Sequence, residues 1–131
     1  MKEKIIEFTS KDDGFTKKNG FKITDLTNEH CIMEYKIKKD GLNPYGIVHG
    51  GVLFGLADTC AGTLAVMNGK IPLTTSANIN YYNKANGSKV IAESTVLKEG
   101  NKIGYYNVNL YDEKNILLAS ATVNMYFTDS K

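Results

Sequence analysis

The sequence predicts an α+β domain in which an antiparallel sheet of about five to six strands wraps around one long central helix. Three observations lead to that class. Residues 50 to 67 are almost continuously apolar and end at helix-stopping residues. The flanking segments have the length and alternation of strands. The segments after the helix are joined by short Asn-, Gly- and Asp-containing connections, which suit antiparallel neighbours rather than parallel crossovers.

A chain of 131 residues fits a single domain spanning residues 1–131, large enough to bury a core. Its net charge of +2 comes with no basic stretch interleaved with aromatics, so nothing points to nucleic acid. All 16 basic residues are lysine, which leaves any bound phosphate to Lys, backbone N–H groups or helix ends. The start, MKEKIIEFTSKDDG, is charged and lacks the apolar core of a signal peptide or anchor. Polar and glycine interruptions in residues 50 to 67 argue against a membrane span. Cys31 and Cys60 form neither a disulfide framework nor a metal-ligand spacing, so no metal is expected and the setting reads as cytoplasmic.

In chain order, residues 1 to 20 are polar and lysine-rich, and read as a loosely attached helix or coil. FKITDL and HCIMEYKI, around a turn at Thr27, Asn28 and Glu29, form a hairpin with Cys31, Met33, Tyr35 and Ile37 on one face. KKDGLNP is a loop. The central helix follows, closed by Asn68, Gly69 and Pro72. Beyond it, Leu73, Thr75, Ala77, Ile79 and Tyr81 alternate with Thr74, Ser76, Asn78, Asn80 and Tyr82, one face apolar and the other polar. Turns at Asn86-Gly87-Ser88, Glu99-Gly100-Asn101 and Asp112 to Asn115 lead into KVIAESTVLK, IGYYNVNLY and a last strand. In that strand Leu117, Ala119, Ala121, Val123, Met125 and Phe127 make an apolar face.

The central helix carries the candidate chemistry. Val52, Leu53, Leu56, Cys60, Leu64 and Met67 share a broad side suited to a sheet. Gly51, Gly55, Asp58, Ala61, Gly62 and Ala65 lie opposite, with Phe54 at the margin. Such small residues admit either close packing within the subunit or a second subunit or ligand. Asp58 is a carboxylate in an apolar run, where an uncompensated charge costs several kcal/mol. It is either hydrogen-bonded to strand N–H groups or to Thr59, or it is a base or nucleophile. His49-Gly50-Gly51 opens the helix, where unsatisfied N–H groups can hold a developing oxyanion. Asn43, before a proline, is a turn former or a site residue. His49 and Asp58 are nine residues apart, roughly 13 Å along a helix rising about 1.5 Å per residue. They cannot act together on one carbonyl unless a two-fold pairing of helices brings copies from two chains together.

The pattern NPYGIVHGGVLFGLAD, continued through LTTSANINYYNKA and the following three strands in a match over roughly residues 21 to 127, resembles the hotdog-fold acyl-CoA thioesterases, in particular their PaaI-like branch. The resemblance implies hydrolysis of an acyl-CoA to free acid and coenzyme A, which is part of the substrate, with no separate cofactor. It also implies homodimers that often pair into tetramers, with active sites at the dimer interface. On that template Asp58 is general base or nucleophile, and the Gly50 N–H polarises the thioester carbonyl. Asn43 and His49 position carbonyl or water, and Gly51 lies against the substrate. Thr74 matches the hydroxyl that holds the water in relatives, with Thr75 or Ser76 as alternatives, and Lys84 is either a contact for a coenzyme A phosphate or a plain solvated lysine. A non-catalytic acyl-CoA binder and a hotdog hydratase or dehydratase are the alternative readings. The first is disfavoured by the filled signature, the second by the lack of its His and acid arrangement.

Overall fold

The protein is described by a computed structural model covering residues 2–11 and 14–129. Its elements in chain order are α1 (Lys2–Lys11), α2 (Phe15–Lys18), β1 (Phe21–Leu26), β2 (His30–Lys36), α3 (Gly50–Met67), β3 (Pro72–Tyr81), β4 (Lys89–Glu99), β5 (Ile103–Asp112) and β6 (Leu117–Phe127). The strands form one six-stranded antiparallel sheet in the order β1-β2-β4-β5-β6-β3, curled around α3.

Apolar burial holds this arrangement together. Cys31, Met33 and Tyr35 of β2, Val108 and Leu110 of β5 and Val123 of β6 are wholly buried against Leu56, Cys60 and Leu64 of α3. The helix is long and apolar enough to span a membrane by length and composition, yet here it is the core around which the sheet closes. The Thr27 hydroxyl, accepting from the N–H groups of Glu29 and His30, makes the β1–β2 turn. In the amino-terminal segment Ile5 is buried, and the Phe15 ring packs edge-on against Phe21 at 5.7 Å between centroids.

Three expectations from the sequence are corrected. The connection after β3 is not a hairpin turn, because β3 lies at the sheet edge beside β6 while β4 is central. Residues 82–88 cross the end of the sheet instead, pinned by Tyr82 N and Asn83 N to Leu118 O, by Val48 N to Ala85 O and by Ile37 N to Ser88 O. The face of β3 is also shifted. A register irregularity between Thr74 and Ser76 inserts Thr75, so Thr74 opposes buried Met125 and shares the helix-facing side with Ala77, Ile79 and Tyr81. Leu73 opposes Tyr126 on the outer face and is 57% exposed. A second irregularity, beside Tyr111, turns Leu117 outward and buries Leu118 in its place.

The small-residue side of α3 also differs from its helical-wheel assignment. Ala61 and Ala65 are buried, and Gly62 approaches Met125 of β6. Gly51, Gly55 and Asp58 in the amino-terminal half of that side retain exposure, and so in part does Gly62.

Candidate active site

His49 caps α3. It lies in an extended conformation, φ −59° and ψ 136°, and its Nδ1 accepts the Gly51 N–H at 2.8 Å. A ring nitrogen that accepts this bond carries no proton, so the neutral imidazole has its hydrogen on Nε2. The Gly50 N–H stands at the first helical position, which the helix's own bonding leaves without an acceptor, at the positive end of the dipole. Asn43 shapes the loop before it: Oδ1 accepts from the N–H groups of Tyr45 at 2.9 Å and Ile47 at 3.3 Å. This is the turn-forming role, and it uses the amide oxygen rather than the NH2 of Asn43.

Asp58 is half-buried rather than sealed in the core. Its Oδ1 accepts from the Thr74 hydroxyl at 2.6 Å, a short, charge-assisted hydrogen bond between helix and edge strand. Neither local alternative occurs. Thr59 donates to Gly55 O of its own helix at 2.8 Å, and Thr63 to Thr59 O at 2.8 Å.

Of the three candidate hydroxyls, geometry brings only Thr74 to the carboxylate. Thr75 Oγ1 donates to Asn124 O at 3.2 Å. Ser76 Oγ accepts from Asn124 Nδ2 at 3.0 Å and lines a polar hollow on the outer face with Asn78, Asn80 and Thr122.

Within one chain the expected residues fall into two separate clefts. Asp58, Thr74, Gly51, Phe54, Gly55 and Ala77 line a cavity of about 290 Å³. Gly50, Asn43, Leu53, Tyr81, Tyr82 and Lys84 line another of about 340 Å³. His49 is exposed beside the helix start and joins them only through Gly51. Among the described residues no group of three His, Cys, Asp or Glu side chains could hold a metal ion.

One participant escaped the sequence reading. The Tyr81 hydroxyl donates to Gly50 O at 2.8 Å, and its ring lies where a Cβ on Gly50 would be 3.2 Å away. Burial holds this phenol above the ordinary tyrosine range. Strand alternation placed Tyr81 on the helix-facing side, but no spacing rule gives its reach to residue 50.

Comparison with known proteins bears on the family and the fold. Residues 45–119 match the family described as the thioesterase superfamily. A protein of Archaeoglobus fulgidus named "Putative esterase" is 28% identical over 127 residues, 96% of this chain and 82% of its own. Acyl-coenzyme A thioesterase 13 of Mus musculus is 29% identical over 86 residues, 63% of this chain and 61% of its own. The E. coli PaaI protein from the phenylacetic acid degradation operon has the same fold, with a TM-score of 0.92 at 18% identity over 98% of this chain and 94% of that one. A structure of a "Hypothetical Thioesterase Protein with Coenzyme A" from Streptococcus pneumoniae aligns with a TM-score of 0.80 at 24% identity over 83% and 86% of the two chains. The wrapped helix, its capped Gly-Gly start and the matching family together assign this chain: it belongs to the thioesterase superfamily, as a hotdog-fold thioester hydrolase.

Proposed function

We propose that the protein hydrolyses an acyl-CoA to a free acid and coenzyme A, in the cytoplasm, at a site shared by two copies of the chain. The observation carrying this reading is the separation of Gly50 and Asp58 into different clefts of one chain. A thioester carbonyl needs an oxyanion donor on one side and an activated water on the other, both within hydrogen-bond reach. A two-fold axis running antiparallel copies of α3 past each other supplies both. The edge of β3 supports such a pairing. It is ten residues long and, among the described residues, pairs with β6 alone, so its other edge offers backbone groups to a second copy.

In the proposed reaction the Gly50 N–H of one copy donates to the thioester oxygen as that oxygen gains charge. Asp58 of the other copy, held by Thr74, takes a proton from water as that water attacks the carbonyl carbon. The carbon–sulfur bond then breaks, the acid is released, and the sulfur leaves as the thiol of coenzyme A after taking up the proton that Asp58 accepted, which restores the carboxylate. His49 Nε2–H and the Asn43 amide are donors beside the oxyanion position. Gly51 leaves its side of the cleft open to substrate, and Lys84, exposed in the Gly50 cleft, meets a coenzyme A phosphate. Thr75 and Ser76 have no part in holding the water, since their hydroxyls are engaged elsewhere. Pairing of such dimers into a tetramer is compatible with this arrangement.

Free-thiol release over a panel of acyl-CoAs tests the reading. Wild type should release thiol from at least one member, and Asp58→Asn and Asp58→Ala should reduce release by about 100-fold or more. A wild type that binds acyl-CoA without releasing thiol turns the assignment to a binder.

A further inference from the structure

The peptide unit between Gly50 and Gly51 is gripped at both ends. Its N–H donates to His49 Nδ1 and its carbonyl accepts from the Tyr81 hydroxyl, each at 2.8 Å. Glycine at both positions gives the two gripping side chains room. A Cβ on Gly51 would lie 3.0 Å from His49 Nδ1, and one on Gly50 would lie 3.2 Å from the Tyr81 ring and hydroxyl. The His-Gly-Gly sequence is thus a clearance for two side chains as well as a helix start.

Two consequences follow for the chemistry. The Gly51 N–H is already taken, so the helix start offers the Gly50 N–H as its donor. That donor belongs to the adjacent peptide, one Cα from the gripped unit, and two consecutive glycines would otherwise leave its direction loosely set. The tyrosine doing the gripping sits on β3, the strand whose Thr74 holds Asp58. One strand therefore fastens the helix at both places the reaction uses.

We propose that Tyr81 is a positioning residue: by holding the Gly50 carbonyl it aims the Gly50 N–H at the thioester oxygen. This rests on the hydrolase reading above. A misaimed donor weakens transition-state stabilisation while leaving the substrate's remote contacts intact, so the loss falls on kcat.

The test compares wild type with Tyr81→Phe, which keeps the ring over Gly50, and Tyr81→Met, which keeps bulk without a donor. Each variant is checked for an unchanged far-UV spectrum and assayed against the best acyl-CoA of the panel. Tyr105→Phe, on the outer face of β5, is the control. In both Tyr81 variants kcat should fall about tenfold with KM within about twofold. Amide hydrogen exchange at Gly51, followed by NMR on the whole protein, should quicken several-fold as the peptide loosens, while Tyr105→Phe changes neither. A folded Tyr81 variant with wild-type kcat, or with unaltered Gly51 exchange, overturns the proposal. If wild type releases no thiol from any acyl-CoA, the hydrolase reading fails by itself, and the Gly51 exchange rate still decides whether Tyr81 holds this peptide.

Discussion

The Thr74 hydroxyl donates to Asp58 Oδ1 at 2.6 Å, fastening the edge strand to the middle of the central helix. Thr74 reaches Asp58 only because the bulge at Thr75 reverses the alternation of β3. A strand of unbroken period would turn Thr74 toward the outer face. Thr74→Val keeps the β-branched shape and removes the donor, so kcat should fall about tenfold or more. Thr75→Val, whose parent hydroxyl serves Asn124 O, should stay within about twofold. Steady-state thiol release on the two purified variants separates them.

Gly50 permits a test that isolates one N–H group. Proline is favoured at the first helical position and lacks the N–H, and the extended backbone of His49 suits a residue before proline. Gly50→Ala adds the same Cβ against the Tyr81 ring but retains the donor. Both variants should fold, with melting temperatures close to each other. Gly50→Pro should release thiol about 100-fold more slowly than Gly50→Ala. Equal rates would exclude the Gly50 N–H as the oxyanion donor.

These two sites mark how far the sequence could be read. The helix from Gly50, its stop at Asn68 and the strand segments were legible, because apolar periodicity and punctuating residues express burial directly. The irregularities in β3 and beside Tyr111, two of the four among the sheet's described residues, were not legible. Neither Thr75 nor the Tyr111–Leu117 offset breaks any composition rule, yet each moves a side chain to the other face. The position of β3 at the far edge was hidden as well, since a seven-residue crossing from 82 to 88 looks locally like a turn. Asp58 was legible as an anomaly, and its bond to Thr74 became visible only once strand and helix were assembled.

The far end of the helix holds a second polar cluster that serves stability. The Tyr106 hydroxyl donates to Glu99, which also accepts from Asn68 Nδ2 at 3.0 Å. Tyr106 is wholly buried, and burial followed by its bond to Glu99 keeps the phenol far above its ordinary value of 10.0. Because the protonated form is the one stabilised by folding, its contribution is complete below that value and lost as pH rises toward the raised one. Urea unfolding should show Tyr106→Phe destabilised by about 1–3 kcal/mol at neutral pH, with a shallower loss of stability above pH 10 than wild type.

At the other edge of the sheet, the His30 ring lies 2.6 Å from the Asp25 carboxylate. Its hydrogen bond holds that carboxyl below the ordinary value of 3.8. The ionised form is therefore favoured by folding. Its contribution is present above pH 3.8 and disappears as pH falls through the lower folded value. Asp25→Asn should flatten the acid limb of the stability curve below about pH 4, leaving neutral thiol release unchanged. Thermal unfolding across pH 2.5 to 7 reads this difference.

The shared site itself is tested most directly by mixing two defective chains. Differently tagged Asp58→Asn and Gly50→Pro chains are co-expressed, and the species carrying both tags is isolated. Each parent should be nearly inactive. In a mixed dimer one of the two sites combines an intact Gly50 with an intact Asp58, so thiol release should recover to about half of the wild-type rate per dimer. Mixed dimers that form and stay as inactive as their parents would place both groups' work within a single chain and contradict the account.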